Sequence, residues 1–267
     1  MEGESPRLRI LSYNILAPSY AKPDRYPFTE AWLLAWESRR ERLAARLAES
    51  DADVICLQEV ETYVFAYLRD RLEPAGYEGL YAQKGQRRPE GSATFYRQDR
   101  LPLLESRAFN YHDGAGVCDS GHLALVARFD LDGTPIAVIN THVRWDEPDA
   151  CGTQHIGYRE VTELLRECQG EGFAASVICG DFNAEPDKDF IRLLVAAGYI
   201  DCFAAAPQPT ANSECKAKRI DYIFHTAAFA SEPAPLPEID DETPLPSETE
   251  PSDHLPIRAA LTLRAAK

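Results

Sequence analysis

Ser176-Val177-Ile178-Cys179-Gly180-Asp181-Phe182-Asn183 runs from apolar residues into acid and amide, and Val54-Ile55-Cys56-Leu57-Gln58-Glu59 does the same. A short continuous apolar run is the pattern of a strand buried on both faces, because such a strand has no solvent side for polar residues to occupy. Both stretches therefore read as central strands of a sheet, and each follows a helix. Trp32, Leu33, Trp36, Leu43 and Leu47 recur at helical spacing in a helix of about twenty residues from Thr29, with Arg39, Arg40, Arg42 and Arg46 mostly on its other faces. Tyr158, Val161, Leu164, Leu165 and Cys168 mark one face of another, from about Gly157 to Cys168. The chain reads as two similar α/β halves.

Further elements extend outward from these two. Leu8 to Leu16 reads as a strand that ends in a Pro/Asp-rich loop from Pro18 to Pro27. Tyr63 to Leu72 and Asp187 to Ala197 read as helices. Ala93–Tyr96, Leu123–Phe129, Ile136–Asn140, Arg219–Phe224 and Ile257–Leu263 read as strands, with Asp130-Leu131-Asp132-Gly133 as the turn between the second and third. Ser231 to Pro251 holds seven acids, six prolines and no Lys or Arg. Such a stretch cannot build a core of its own and is expected to be a flexible surface loop, 231–251, on a single catalytic domain spanning 1–267.

The chain has 267 residues and a formal net charge of −15, with 45% hydrophobic and 27% charged residues. This is ordinary globular composition, which excludes disorder, collagen and coiled coil as readings of the whole. Phosphate neutralisation by Lys and Arg dominates affinity for nucleic acid, so so acidic a chain is no general polynucleotide binder. Seven of its acids lie in the 231–251 stretch and four more are Glu59, Asp181, Asp221 and Asp253, so little excess acidity is left elsewhere. No apolar run reaches the roughly 18 residues of a membrane span, and Met1 to Pro6 lacks the layout of a signal peptide. A cytoplasmic protein is expected. The 7 cysteines (Cys56, Cys118, Cys151, Cys168, Cys179, Cys202, Cys215) include no C-x-x-C pair and read as thiols, with Cys56 and Cys179 buried.

Six predicted strand ends carry chemistry: Asn14, Glu59, His142, Asp181 with Asn183, Asp221, and Asp253-His254. Strand ends on one edge of a sheet converge in space, and open α/β sheets bind ligands at that edge. The carboxylates and amides are hard oxygen donors suited to Mg²⁺ or Mn²⁺, whereas two histidines without cysteine make a poor structural zinc site. Of the remaining histidines, His112, His122, His155 and His225 read as structural or exposed. The basic stretch Lys84-Gly85-Gln86-Arg87-Arg88 is the best candidate for a local phosphate-contacting patch, Arg88 included. Arg144 and Trp145 are candidates to meet substrate by charge and by stacking on a base; a rim residue and a packed indole are the plainer alternative.

These residues also carry a resemblance. Ser12-Tyr13-Asn14-Ile15-Leu16, Leu57-Gln58-Glu59-Val60, Asn140-Thr141-His142, Gly180-Asp181-Phe182-Asn183, Arg219-Ile220-Asp221-Tyr222-Ile223-Phe224 and Ser252-Asp253-His254-Leu255-Pro256 resemble, in order, the signature of the endonuclease/exonuclease/phosphatase superfamily. The resemblance implies the DNase I-like fold: a four-layered α/β sandwich of two packed mixed β-sheets flanked by helices. It also implies hydrolysis of phosphoester bonds with Mg²⁺, for which Mn²⁺ can substitute. On this resemblance Glu59 is the principal metal ligand, with Asn14 and Asp253 close to the ion. Asp181 orients or deprotonates the attacking water, and Asn183 holds a phosphate oxygen or that water. Asp221 orients the imidazole of His254, which donates to a phosphate oxygen, and His142 is a second donor.

Within the family, Tyr13 to Ala21 with Ile55 to Val60 is similar to the poly(A) deadenylase, Angel and 2′-phosphodiesterase group, and Ser213-Glu214-Cys215 ahead of Asp221 resembles nocturnin. The stretch Ala211 to Arg219 departs from the Phe-Lys-Gly of the large deadenylases. The resemblance thus implies a phosphoesterase acting on RNA ends or nucleotides. The alternatives are a phosphatase of a small phosphorylated metabolite or lipid headgroup, and a DNA endo- or exonuclease. A silent binding protein on the same scaffold is the reading from another class, and the complete set of motif residues argues against it. The 231–251 loop is further expected to screen the site against long strands.

Overall fold

The computed structural model describes residues 5–112, 119–147, 150, 152–170 and 173–264, so Cys118 and Cys151 lie outside the described residues. In chain order the elements are β1 (Arg7–Asn14), α1 (Ala31–Leu34), α2 (Trp36–Ala48), β2 (Val54–Glu61), α3 (Thr62–Leu72), β3 (Tyr77–Gln83), β4 (Glu90–Arg97), β5 (Leu103–His112), β6 (Asp119–Leu131) and β7 (Thr134–His142). Then come α4 (Ile156–Gly170), β8 (Ser176–Asp181), α5 (Asp189–Ala196), β9 (Ile200–Asp201), β10 (Ala211–Ser213), β11 (Lys216–Lys218), β12 (Asp221–His225), β13 (Phe229–Pro233) and β14 (Ile257–Leu263).

The strands form two six-stranded sheets, ordered β13-β14-β1-β2-β4-β3 and β5-β6-β7-β8-β12-β9, and a small ribbon of β10 and β11. In each large sheet the central pair is parallel, β1 with β2 and β7 with β8, and every other pairing is antiparallel. The two halves therefore repeat one another outward from the two Val-Ile-Cys strands. Period-two alternation explains why those runs are apolar throughout. Val54, Cys56, Val177 and Cys179 point into the core between the sheets, beside Ile10, Val138 and Ile223. Ile55 and Leu57 point the other way, under Leu43 and Leu47 of α2 and Val64 and Leu68 of α3. Ile178 likewise meets Leu164 of α4 and Leu194 of α5. The result is the helix, sheet, sheet, helix sandwich.

Three expectations are corrected. The helix from Thr29 is two helices, broken at Ala35, where the backbone turns extended (φ −64°, ψ 135°). Trp32 accordingly leaves the apolar face and is 55% exposed, while Arg39 is fully buried, its guanidinium donating to the carbonyls of Ile15, Leu16, Leu34 and Pro251. Second, the turn after β6 is only Asp132-Gly133, both at positive φ (50° and 85°), the two-residue geometry that matches strand twist.

Third, the 231–251 stretch, expected as a surface loop throughout, begins in a strand and buries some of its residues against the fold. Residues 231–233 belong to β13 at the edge of the first sheet. Leu245 and Glu250 are buried, and Glu250 accepts from the hydroxyl of Tyr13 and from Arg46 at 2.8 Å. The segment makes no core of its own because it borrows one.

Candidate active site

Parallel neighbours end at the same level, so β1 and β2 deliver Asn14 opposite Gln58, and β7 and β8 deliver His142 opposite Asp181. A buried amide link ties the two pairs together across the core. Gln58 Nε2 donates to Asn140 Oδ1 (2.8 Å), and Asn140 Nδ2 donates to the carbonyls of Leu57 (3.1 Å) and Ala93 (2.9 Å). Asn140 thus serves as a tie between the sheets rather than as part of the cavity wall. β12 contributes Asp221 from its first residue, and the turn before β14 contributes Asp253 and His254.

Local backbone geometry aims the acids. Register between β2 and β4 shifts between Leu57 and Val60, a bulge that puts Glu59 at φ +59° and turns it out of the ladder. Gly180 sits at φ +147°, where a Cβ would lie 1.8 Å from the Thr141 carbonyl oxygen, so only glycine lets β8 approach β7 this closely just before Asp181. Asn183 is also left-handed, at φ +50°.

Glu59 accepts from Asn14 Nδ2 (3.0 Å) and from the amide of Ala17 (2.9 Å). Asp253 accepts from the hydroxyl of Tyr26 at 2.9 Å. Burial, then the charge of Asp253, then that of Glu90, pushes the Glu59 carboxyl above the usual carboxylate range. Neither Glu59 nor Asp253 forms an ion pair among the described residues. Two carboxylates converging without a cation are a costly arrangement unless a cation joins them. All their donors are oxygen, so the residues present fit a hard divalent ion such as Mg²⁺ or Mn²⁺.

Asp181 is set among proton donors instead. Its Oδ2 accepts from Asn14 Nδ2 (2.9 Å) and lies 3.6 Å from His142 Nε2 and 3.7 Å from His254 Nε2; its Oδ1 accepts from the Asn183 amide at 2.8 Å. Burial pushes its carboxyl up to about 7, with His254 opposing and Asp221 adding to the rise. The two imidazoles differ. His254 Nδ1 donates to Asp221 Oδ2 at 2.9 Å, and Thr210 Oγ1 donates to the same oxygen at 2.6 Å. Burial alone would lower the His254 pKa, but Asp221, Asp253 and Asp181 together raise it well above the ordinary value, so the ring is held protonated.

His142 Nδ1 faces Lys84 Nζ at 3.1 Å, and burial and then the Lys84 charge push its pKa well down, so this ring is neutral. A neutral ring accepts at one nitrogen only. Lys84 Nζ lies against Nδ1, and Nε2 faces the Asn183 side-chain nitrogen at 3.0 Å with Asp181 Oδ2 farther off at 3.6 Å; Asn183 Nδ2 also donates to the Val143 carbonyl at 2.9 Å. Asp181, Asp221 and His254 also place ligand atoms within 4.8 Å of one another, though the Asp221–His254 hydrogen bond suits a carboxylate and an imidazolium better than two ligands of one ion.

All of Asn14, Glu59, His142, Asp181, Asn183, Asp221, Asp253 and His254 therefore meet at one end of the sandwich. Glu59, His142, Asp181, Asn183, Asp253 and His254 border a cavity of about 460 Å³, and Asn14 and Asp221 support them from behind by hydrogen bonds to Glu59, Asp181 and His254. Arg88 lines the cavity, and Trp145, 54% exposed, stands at its rim; Arg144 does not line it, and its backbone amide donates to Glu160 at 2.8 Å. Lys84, expected in a phosphate-contacting patch, is instead buried against Glu90, and sequence reasoning missed Glu90 and His122 in the wall. Lys84 and Glu90 form a buried ion pair (3.0 Å) beside His142, and His122 donates from Nδ1 to the His142 carbonyl, its buried Nε2 finding no hydrogen-bond partner among the described residues. Burial and then Lys84 push His122 down to about 2, so it too is neutral. His112 binds Glu163 at 2.8 Å, and His155 and His225 are buried away from the cavity, as expected.

The model of the Endonuclease/Exonuclease/phosphatase family matches residues 11–254. The chain is 26% identical to the CCR4-Not complex 3′-5′-exoribonuclease subunit Ccr4 of Candida albicans over 98% of its own length, which is only 42% of that protein's length. It is also 26% identical to carbon catabolite repressor protein 4 homolog 4 of Arabidopsis thaliana, covering 97% of this chain and 78% of that one. Among solved structures, ANGEL2, a 2′,3′-cyclic phosphatase in complex with adenosine-2′,3′-vanadate, superposes with a TM-score of 0.86 at 22% identity, covering 97% of this chain and 96% of the other. The human Nocturnin catalytic domain with bound sulfate superposes with a TM-score of 0.75 at 23% identity, covering 97% and 94%. At this identity the structural matches establish the sandwich fold.

Proposed function

The chain belongs to the Endonuclease/Exonuclease/phosphatase family, and on that premise we propose that it is a divalent-metal-dependent phosphoesterase acting on RNA ends or nucleotides. The observation that carries this reading is the split around the cavity. Glu59 and Asp253 form an acid pair that fits a cation, and Asp181 lies between one protonated and one neutral imidazole. Glu59, Asp253 and Asn14 would hold the ion, which supplies charge neutralisation at the phosphate oxygens.

Asp181, with a carboxyl near 7, holds and deprotonates the attacking water. His254, kept charged by Asp221, donates to a phosphate oxygen as negative charge builds there. His142, held neutral, and Asn183, whose side-chain nitrogen lies 3.0 Å from His142 Nε2, stand together beside the same oxygens, so both act there without titrating. Trp145, more than half exposed in the cavity lining, is the candidate to stack on a base. The Ccr4 relatives and ANGEL2, named for RNA exonuclease and cyclic phosphatase activities, support RNA ends over other phosphoesters.

The test is a substrate panel with Mg²⁺ and with Mn²⁺: oligo(A), mixed RNA, RNA with 2′,3′-cyclic phosphate ends, single- and double-stranded DNA, a 2′-phosphorylated dinucleotide and inositol phosphates. The reading predicts that an RNA or nucleotide substrate is turned over fastest. Preferred turnover of an inositol phosphate would replace it with the metabolite reading, and no metal-dependent hydrolysis of any member would overturn it.

A further inference from the structure

β10 and β11 form a two-stranded ribbon along one wall of the cavity, with Ala211 opposite Lys218, Asn212 opposite Ala217 and Ser213 opposite Lys216. Its turn is Glu214-Cys215, both left-handed (φ 54° and 57°). Side chains alternate across such a ribbon. Ser213, Lys216 and Lys218 line the cavity, whereas Asn212 and Ala217 do not. Asn212 faces away, and its Nδ2 reaches the carbonyls of Asp240 (2.9 Å), Asp241 (3.3 Å) and Thr243 (2.7 Å), while the Ala217 amide donates to Asp241 Oδ1 at 2.8 Å. The acid-rich segment is thus a buttress behind the ribbon.

The root of the ribbon is equally fixed. The Asn212 amide donates to the Asp253 carbonyl (2.9 Å), the Leu255 amide to the Thr210 carbonyl (2.7 Å), and Ala211 bridges to His254. Two cationic side chains are in this way held over the site by backbone bonds on both sides. Neither Lys216 nor Lys218 makes an ion pair or a side-chain hydrogen bond among the described residues, although the neighbouring Arg25 pairs with Glu214 at 3.1 Å. Residues two apart on a strand lie roughly 6–7 Å apart, close enough for both lysines to close on one phosphate.

We propose that Lys216 and Lys218 form a second anion subsite, which takes a phosphate of the substrate other than the one being hydrolysed. This rests on the phosphoesterase reading and deepens it, because the substrate must then carry at least two phosphates. Behind the ribbon the exposed carboxylates of Asp240, Asp241 and Glu242 repel phosphate, so anions are accepted only on the cavity side. A short strand end or a nucleoside bisphosphate fits this arrangement, and a long strand crossing the outer face does not.

The experiment compares wild type with Lys216→Ala/Lys218→Ala, Lys216→Glu/Lys218→Glu and Lys216→Arg/Lys218→Arg on two substrates: a pentaadenylate, with several phosphates, and bis(p-nitrophenyl) phosphate, with one. Charge reversal is expected to raise KM for pentaadenylate at least about tenfold more than KM for the single phosphate, and the arginine pair to restore it. The slope of log KM against log salt for pentaadenylate should fall by about 0.7 for the one lost phosphate contact in the alanine pair. Equal changes on both substrates, or none on either, would overturn the subsite. Wild type that hydrolyses neither of these nor any member of the wider substrate panel defeats the phosphoesterase reading instead. The subsite is then judged by fluorescence anisotropy of labelled pentaadenylate, where weaker binding by the reversed pair supports it and equal binding overturns it.

Discussion

The ends of β2 and β8 start alike and finish differently. Both are Val-Ile-Cys strands at the centre of a sheet, each parallel to one neighbour and buried on both faces. At β2 the bulge delivers Glu59 into the company of Asp253 and Glu90, where no described cation answers it. At β8 the glycine delivers Asp181 into the company of two imidazoles. On the proposed reading, one architecture present in both halves supplies an acid for a metal ion and an acid for a proton. The neighbours, not the strands, divide the labour.

Several substitutions would break or sharpen that contrast. Asp181→Asn removes the proton acceptor and is expected to lower kcat by about 10²–10⁴, measured by single-turnover hydrolysis of an RNA substrate, with the fold intact by circular dichroism. Asn183→Ala and His254→Gln should each cost about 10²–10³ in kcat while remaining folded, and near-normal turnover in either would remove its assigned role. His142→Gln, which keeps a neutral N–H donor, should cost only about tenfold; a loss equal to that of His254→Gln would mean that the two rings act alike.

Smaller effects fall on stability. Lys84→Met strands Glu90 in a buried site and should destabilise by about 3–5 kcal/mol, read by urea unfolding. Glu250 gives the smallest effect. Burial raises its carboxyl to about 7, against the opposing pull of Arg46 and Tyr13. The folded state therefore holds a proton that the unfolded chain has lost, and Glu250's contribution falls as pH rises from about 4.5 to about 7. Glu250→Gln should flatten the Tm profile over that window, and an unchanged slope would contradict the shift.

Much of this was legible from residues alone, for a physical reason. Strands buried on both faces, such as Val54–Leu57 and Ser176–Cys179, are apolar throughout and stand out. The edge strands β3 and β5 did not, because most of their residues are exposed or only half-buried, which leaves their sequences with little apolar signal. Arg39 reads only as lying off the apolar face, because an arginine buried on four carbonyls cannot be told from an exposed one by spacing. The motif residues were legible at strand ends. His122, Glu90, Lys216 and Lys218 were not, since only the register of β10 with β11 and the packing of β4 and β6 bring them to the cavity. Lys216-x-Lys218 after a tight turn was the one signal that could have been used.

The division of labour is tested most directly by calorimetric titration of Mg²⁺ into wild type, Asp181→Asn and Glu59→Gln. The account predicts that Asp181→Asn binds the ion as wild type does while failing to turn over substrate, and that Glu59→Gln loses binding. Retained binding in Glu59→Gln with lost binding in Asp181→Asn would move the ion to the Asp181, Asp221 and His254 cluster and contradict it.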